Sequence, residues 1–210
     1  MTAPSKVFEK HDADYRARIG SLDFERIAPT LGLEPMEDGW VLPFFDRRYT
    51  ISPSGIWDDR RQAPNYATVV ILAKYLTRCP AYVHCDTQWA AFKDFKRESH
   101  FTNVNYFASD TEQKIVTAFS GKLAALEQAA RRMGGFPGDS GHSYDLVMQF
   151  QVLPRIALLL LFNDGDEYFP AYGTVLFWRQ AEYYLDPESL AMTSAYLAKH
   201  LAEQTESKGM

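Results

Sequence analysis

The chain has 210 residues, enough for one domain with a sizeable core, and its 46% hydrophobic and 23% charged residues are ordinary for a globular protein. A net charge of -5 argues against general binding to nucleic-acid phosphates, which depends on lysine and arginine. Because it has two cysteines and no apolar run long enough to cross a bilayer, the sequence predicts a reduced, cytoplasmic protein with no disulfide scaffold and no membrane partner.

The N-terminal part of the chain has helical periodicity. Five residues fall on one helical face and predict a first helix that ends near Gly20: Val7, Phe8, His11, Tyr15 and Ile19. Ser21 is the predicted cap of a second helix, which Pro29 and Gly32 are expected to end. We therefore divide the chain into an N-terminal helical segment, residues 1–35, and a single α+β domain, residues 36–210.

After the helical segment the apolar period becomes alternating. Apolar residues alternate over Trp40–Phe44 and Tyr49–Ile51, with a turn between them, which predicts a two- or three-stranded antiparallel meander. Pro64-Asn65 opens a predicted helix, and Pro80 ends it. Residues 82–107 contain scattered aromatic residues without a clear period, and we expect irregular structure with one short helix or strand.

Residues 109–133 have the strongest helical pattern in the sequence. Ser109 and Glu112 are spaced as a capping box, and apolar residues then recur at alternating steps of four and three. Glu127 and Arg131 are one turn apart and can form an ion pair. The pattern predicts one continuous helix that faces the core.

The C-terminal half predicts two strands and two helices. Leu146–Phe150 and Arg155–Phe162 are the predicted strands, and the apolar run in the second makes it the expected central strand. Residues 172–183 are interpreted as a helix, and Asp186 caps the last one. With the meander, these elements predict an α+β fold: a mostly antiparallel sheet of about four or five strands with helices packed largely on one face.

An acidic cluster follows the predicted central strand directly. Asn163, Asp164, Asp166 and Glu167 surround a glycine, and their oxygens are of the kind that bind Ca²⁺ or Mg²⁺. Their spacing does not match an EF-hand loop, and Asn-Asp-Gly-Asp also favours a tight turn. We favour the plain turn and keep Asp164, Asp166 and Glu167 as candidate ligand-binding residues.

The glycine-rich loop Gly138-Asp139-Ser140-Gly141-His142 is a second candidate. It resembles the nucleophile loop of trypsin-type proteases, but the chain lacks the many strands of that fold. An anion cradle is disfavoured because the loop follows the C-terminus of a helix, where the dipole repels anions. The favoured interpretation is a connecting loop, and Asp139 and His142 are kept as candidates that join the acidic cluster.

Two further groups of side chains suggest chemistry more weakly. Trp89 and the nearby phenylalanines could stack on a planar ligand, although such aromatic residues are more often part of a core. The atoms that zinc needs are present, without the usual spacing, in Cys79, His84, Cys85 and His100. We therefore predict no metal site and keep Trp89 as a candidate ligand-binding residue.

Short segments spread over most of the chain after the first helix resemble a known family. They are Asp38-Gly39, Tyr49-Thr50-Ile51-Ser52, Gly55, Trp89, Phe92-Lys93-Asp94-Phe95, Gly134-Gly135, Gly138-Asp139, Leu153-Pro154-Arg155, Asp164-Gly165-Asp166-Glu167, Phe169-Pro170-Ala171 and Leu176-Phe177. The chain is thereby similar to an uncharacterised bacterial and archaeal domain of unknown function, numbered thirty-seven eighty-six and frequent in anaerobes. Some similar proteins carry an N-terminal cysteine cluster that looks like an iron–sulfur site, which this sequence lacks. The resemblance implies no cofactor, activity or catalytic residue.

Two functions are compatible with these patterns. The favoured hypothesis is a non-enzymatic binding or accessory protein that holds a small molecule or a protein partner in a pocket beside residues 163–171. The alternative is a metal-assisted enzyme, such as a hydrolase, that uses the acidic cluster with Asp139 or His142 as ligands and acid–base groups. Substrate, cofactor and oligomeric state are left open by the sequence.

Overall fold

The structure, a computed structural model, describes residues 14–95 and 107–206. Residues 14–20 are helical and form α1. Ile19 is buried in the core and Tyr15 packs against it, as the helical pattern predicted. Three residues of the same predicted face lie outside the described residues: Val7, Phe8 and His11.

Helix α2 spans Phe24–Leu31 and begins at a different cap from the predicted one. The side chain of Asp23 accepts the N–H of the third helical residue at 3.2 Å, so Asp23 is the cap. The prediction of Ser21 was wrong, because its hydroxyl donates to a carbonyl of α1 at 2.8 Å. Pro29 lies inside α2, and Gly32 ends the helix in the left-handed conformation with φ 74°.

The first sheet is an antiparallel meander near the N-terminus. Its strands are β1 (Glu34–Met36), β2 (Gly39–Phe44), β3 (Arg47–Ser52) and β4 (Gly55–Trp57), paired in that order. The predicted meander is therefore confirmed, with one strand more than expected. It is a separate four-stranded sheet, and the prediction that it joins the later strands in one sheet was wrong.

The second sheet contains the acidic turn at one end. Its strands are β5 (Trp89–Ala91), β6 (Phe136–Pro137), β7 (Leu146–Leu153), β8 (Ile156–Asn163) and β9 (Tyr172–Trp178), in the antiparallel order β5-β9-β8-β7-β6. Strand β8 is central, and residues 156–162 are all buried, as predicted. The helix predicted over 172–183 was wrong for residues 172–178, which alternate between more exposed and buried positions along β9, and a helix begins only at Ala181.

The remaining helices pack against these sheets. They are α3 (Tyr66–Thr77), α4 (Gln113–Phe119), α5 (Leu123–Arg132), α6 (Ala181–Tyr184) and α7 (Pro187–Glu206). Asn65 caps α3, and α7 begins just after Asp186, both as predicted. Buried residues of α2, both sheets and α7 belong to one hydrophobic cluster, and the α+β fold with antiparallel sheets is confirmed. Within the described ranges, no helix has the length and apolar content needed to cross a membrane.

The single long helix predicted over 109–133 is broken in the structure. A π-helical turn, Ala108–Glu112, precedes α4, and three residues, 120–122, separate α4 from α5. Gly121 has φ 71° at the break, and its N–H donates to Asp164 Oδ1 at 2.7 Å. Apolar spacing continues across the break, so the sequence pattern does not reveal it. The predicted pair of Glu127 and Arg131 is confirmed at 2.7 Å.

Candidate functional site

The turn between β8 and β9 carries the predicted acidic cluster. Asp164 Oδ1 accepts the N–H groups of Gly121 and Gly165, at 2.7 and 2.8 Å. The N–H of Asp164 donates to Asp145 Oδ2 at 2.8 Å, and Asn163 Oδ1 accepts the N–H of Asp145 at 3.0 Å. These side chains therefore tie together the turn, the start of β7 and the break between α4 and α5.

Asp166 organises the tip of the same turn. Its Oδ1 accepts the N–H groups of Tyr168 and Phe169, both at 2.7 Å, and its own N–H donates to the carbonyl of Phe169 at 2.9 Å. Glu167 is exposed beside them. The two N–H donors stabilise the ionised carboxylate and lower the pKa of Asp166 below its usual value of 3.8. Side-chain to main-chain bonds of this kind are typical of tight turns.

The lowered pKa predicts how the tip responds to acid. A carboxylate with a lowered pKa stabilises the folded turn above its usual pKa of 3.8, and this contribution is lost as the pH falls through the lower, folded-state value. We expect the amide proton shifts of Tyr168 and Phe169 in an NMR titration to change with a midpoint below 3.8. Asp166→Asn keeps an acceptor oxygen without the charge, so it should remove this titration. A midpoint at or above 3.8 in the wild type would contradict the assignment.

The glycine-rich loop between β6 and β7 holds the other two polar candidates. Asp139 Oδ1 accepts the N–H of Gly141 at 2.8 Å. The Ser140 hydroxyl donates to the carbonyl of His142 at 2.8 Å and accepts the N–H of His142 at 3.1 Å. Both bonds join the hydroxyl to the main chain of His142, and the imidazole takes no part in them.

A cavity of about 380 Å³ opens between this loop, β9 and the π-helical turn. Its polar lining is formed by Lys93, Glu112, Ser140, His142 and Thr174. Its larger apolar walls include Phe92, Phe107, Tyr144, Leu161, Tyr172 and Leu176. Ligand sites in proteins are commonly cavities of this size with mostly apolar walls and a few convergent polar groups.

The cavity lies where β9 extends beyond its short neighbour β5. Strand β5 pairs only with Leu176–Trp178, so Thr174 lies past its end. The Thr174 hydroxyl donates to Glu112 Oε1, which fixes this carboxylate at the cavity wall. Glu112 was predicted to cap one helix and Thr174 to lie within another, so no sequence pattern indicated that the two side chains would pair. Their contact depends on the π-helical turn lying beside β9.

The candidate residues occupy different parts of this region. His142 lines the cavity, whereas Asp139, Asp164, Asp166 and Glu167 are not among its lining residues. Trp89 lies on β5 and packs against Trp178, with ring centroids 6.1 Å apart. The structure thus brings His142 together with Glu112 and Thr174, and the carboxylates of the acidic turn lie outside the cavity wall.

A larger cavity of about 780 Å³ lies elsewhere, between the start of α3, α4 and α7. Alanines and charged side chains form much of its lining. Two ion pairs at its wall join residues one helical turn apart, Lys114 with Asp110 at 3.0 Å and Lys199 with Glu203 at 3.7 Å. Pairs of this kind are common on solvated helix surfaces. We therefore place the candidate site at the smaller cavity, where polar groups from separate segments converge.

The three residues of the weaker zinc hypothesis that the structure describes, Cys79, His84 and Cys85, have different environments. Burial raises the pKa of the half-buried Cys79 thiol, whereas Cys85 is exposed. The His84 imidazole stacks on the Tyr183 ring, with centroids 3.5 Å apart. His100 lies outside the described residues. Among the residues that the structure describes, no group of three or more side chains is arranged to hold a metal ion.

Comparison with known proteins identifies the family. The sequence model of one protein family, the domain of unknown function DUF3786, matches residues 23–200 of the chain. The chain belongs to this family. No curated protein and no solved structure matches the chain. The resemblance expected from the sequence is thus confirmed.

The DUF3786 match covers every part of the candidate site. It begins at the Asp23 cap of α2 and ends within α7, so it includes the acidic turn, the glycine-rich loop and the whole cavity wall. The division proposed at residue 35 stays a prediction.

Proposed function

We propose that this DUF3786 domain is a non-enzymatic ligand-binding or accessory protein whose small-molecule site is the 380 Å³ cavity beside β9. One observation carries the proposal. Polar groups from three separate segments converge on this cavity: Glu112 from the π-helical turn, Thr174 from β9, and Ser140 and His142 from the glycine-rich loop. Convergence of a few polar groups on an apolar wall is the usual composition of a ligand site.

The lining suggests the chemistry of the ligand. One Glu112 oxygen accepts the Thr174 hydroxyl, which orients the carboxylate, and the carboxylate can accept a further donor. Tyr144, Tyr172 and Leu161 provide flat and aliphatic walls for an apolar ring. We infer a small ligand that carries an apolar ring and a charged or neutral N–H donor. A carboxylate accepting from a cationic donor forms the stronger type of hydrogen bond.

The metal-assisted alternative has less support. Asp164 and Asp166 each use a carboxylate oxygen to accept two main-chain N–H groups, so these two oxygens already form the hydrogen bonds that hold the turn. A serine nucleophile, a different mechanism, needs a base that takes its proton. The Ser140 hydroxyl instead bonds to the main chain of His142. A cytoplasmic location, expected from the low cysteine content, stays a prediction.

A binding experiment with two matched probes tests the site. We expect benzylamine to shift the amide resonances of Thr174 and His142 in ¹⁵N-labelled protein, and benzoate to bind more weakly. Glu112→Gln keeps the size of the side chain but loses its charge, and should weaken benzylamine binding by about tenfold. The control Glu203→Gln, at the wall of the other cavity, should leave binding unchanged.

Two results would contradict this proposal. The first is that benzylamine shifts map to α4 and α7, or that Glu112→Gln binds as tightly as the wild type. The second is turnover of p-nitrophenyl acetate or p-nitrophenyl phosphate that requires Mg²⁺ or Mn²⁺ and is lost in Asp164→Asn. That second result would support the metal-assisted enzyme instead.

A further inference from the structure

The tip of the β8–β9 turn presents two neighbouring aromatic side chains to solvent. Tyr168 is 82% exposed and Phe169 is 72% exposed. Among the described residues, these are the two most exposed large hydrophobic side chains. We call these two residues the aromatic tip. Neither residue belongs to the hydrophobic core, so core packing does not account for their apolar character.

The aromatic tip is held in a fixed shape by the acidic residues beneath it. Asp166 accepts the N–H groups of both aromatic residues, and Asp164 joins the turn to Gly121. Gly165 allows close packing, since an added Cβ would lie 3.1 Å from the nitrogen of Ala171. A binding loop that is already ordered loses little conformational entropy when it binds, and exposed tyrosine and phenylalanine are suited to fill a partner's pocket.

The turn that carries the aromatic tip is negatively charged. Asp164, Asp166 and Glu167 lie within the turn, and the sequence contains no lysine, arginine or histidine from residue 156 to residue 178. Lys122 lies next to Gly121, but its ammonium points back to α4 and donates to the carbonyl of Ala118 at 3.4 Å. A surface that combines exposed rings with carboxylates is complementary to an apolar pocket with a basic rim.

We propose that the aromatic tip is a docking surface for a partner protein that offers an apolar pocket rimmed by lysine and arginine. The rings enter the pocket, while the carboxylates of the turn face the basic rim. The same carboxylates disfavour an anionic membrane surface, because like charges repel there. The proposal is independent of the cavity, whose lining does not include Tyr168 or Phe169.

Peptide selection against the intact protein tests this docking surface. A library of random dodecapeptides displayed on phage is selected on the wild type after depletion on Tyr168→Ser/Phe169→Ser. We expect enriched peptides with apolar residues flanked by lysine or arginine. Their synthetic forms should lose at least about tenfold in affinity to the double variant, as expected when central aromatic anchors are removed. Phe136→Ser removes another exposed aromatic residue, on β6, and should bind these peptides like the wild type.

Charge reversal separates the two parts of the proposal. Glu167 is exposed, and Glu167→Lys should weaken the binding of the selected peptides by about threefold, with a smaller loss of affinity at high salt. The proposal is overturned if no peptide depends on the aromatic tip, or if the enriched peptides lack basic residues. Two other results would also overturn it: flotation of the protein with phosphatidylcholine–phosphatidylglycerol vesicles, or dimerisation in sedimentation velocity. Either result counts against the proposal if the double variant Tyr168→Ser/Phe169→Ser abolishes it.

Discussion

Phe162→Ala is expected to lower the free energy of unfolding by about 3–5 kcal/mol. Phe162 is completely buried at the end of the central strand β8, on the face that packs against the helices. It lies opposite Gly173 on β9, where an added Cβ would be 3.2 Å from its ring. The ring therefore fills space that the glycine leaves free, and alanine would leave a cavity. The change is measured as a lower urea midpoint at constant m-value.

Phe169→Ala is the matched control for this prediction. It makes the same substitution on the same hairpin, but its ring is 72% exposed, so the free energy of unfolding should change by less than about 0.5 kcal/mol. A loss of unfolding free energy below about 1 kcal/mol for Phe162→Ala would contradict the close packing of this ring at the C-terminal end of β8.

Asp186→Ala is expected to cost about 2–3 kcal/mol, through two lost interactions. Asp186 Oδ1 accepts the N–H of Ser189 at 2.8 Å and caps α7. Its Oδ2 accepts the Lys74 ammonium at 2.9 Å, and the carboxylate is only 14% exposed. Alanine would leave the first turn of α7 without its cap and Lys74, on α3, without this partner.

The pH dependence of stability tests the same residue. Burial raises the pKa of Asp186, but the bonds from Ser189 and Lys74 outweigh burial, so the pKa lies below the usual 3.8. The stabilisation is therefore present above pH 3.8 and is lost as the pH falls through the lower folded-state value. Asp186→Asn keeps a cap oxygen without the charge, so it should lose less stability than Asp186→Ala. Equal acid sensitivity of the wild type and Asp186→Asn would contradict the ion pair.

Local sequence signals predicted those elements whose own residues set the structure. The cap at Asn65, the cap at Asp186 and the uninterrupted apolar run of β8 are local features, and all three were confirmed. The same signals failed where a short pattern fits two structures. Residues 172–178 contain apolar residues at spacings that suit either a helix or a strand, and pairing with β8 decides in favour of the strand.

The candidate site was predicted only in part. The position of the acidic turn and its turn-forming side chains followed from Asn-Asp-Gly-Asp, because such side chains bond to nearby main-chain N–H groups. The cavity could not be predicted, since it depends on Glu112 meeting Thr174 and on the loop of His142 lying opposite them. These residues lie far apart in the chain, and no local pattern links them.

By itself, the sequence determined the type of fold, the central strand and the turn that follows it, since each depends on periodicity or on bonds between near neighbours. Tertiary structure alone decided that the meander forms its own sheet and that the long helix breaks at Gly121. It also decided that Asp164 and Asp166 hold the turn, whereas Glu112 lines a cavity. The physical reason is the same in each case: a hydrogen bond or a packed ring from a distant segment outweighs a local preference of less than about 1 kcal/mol per residue.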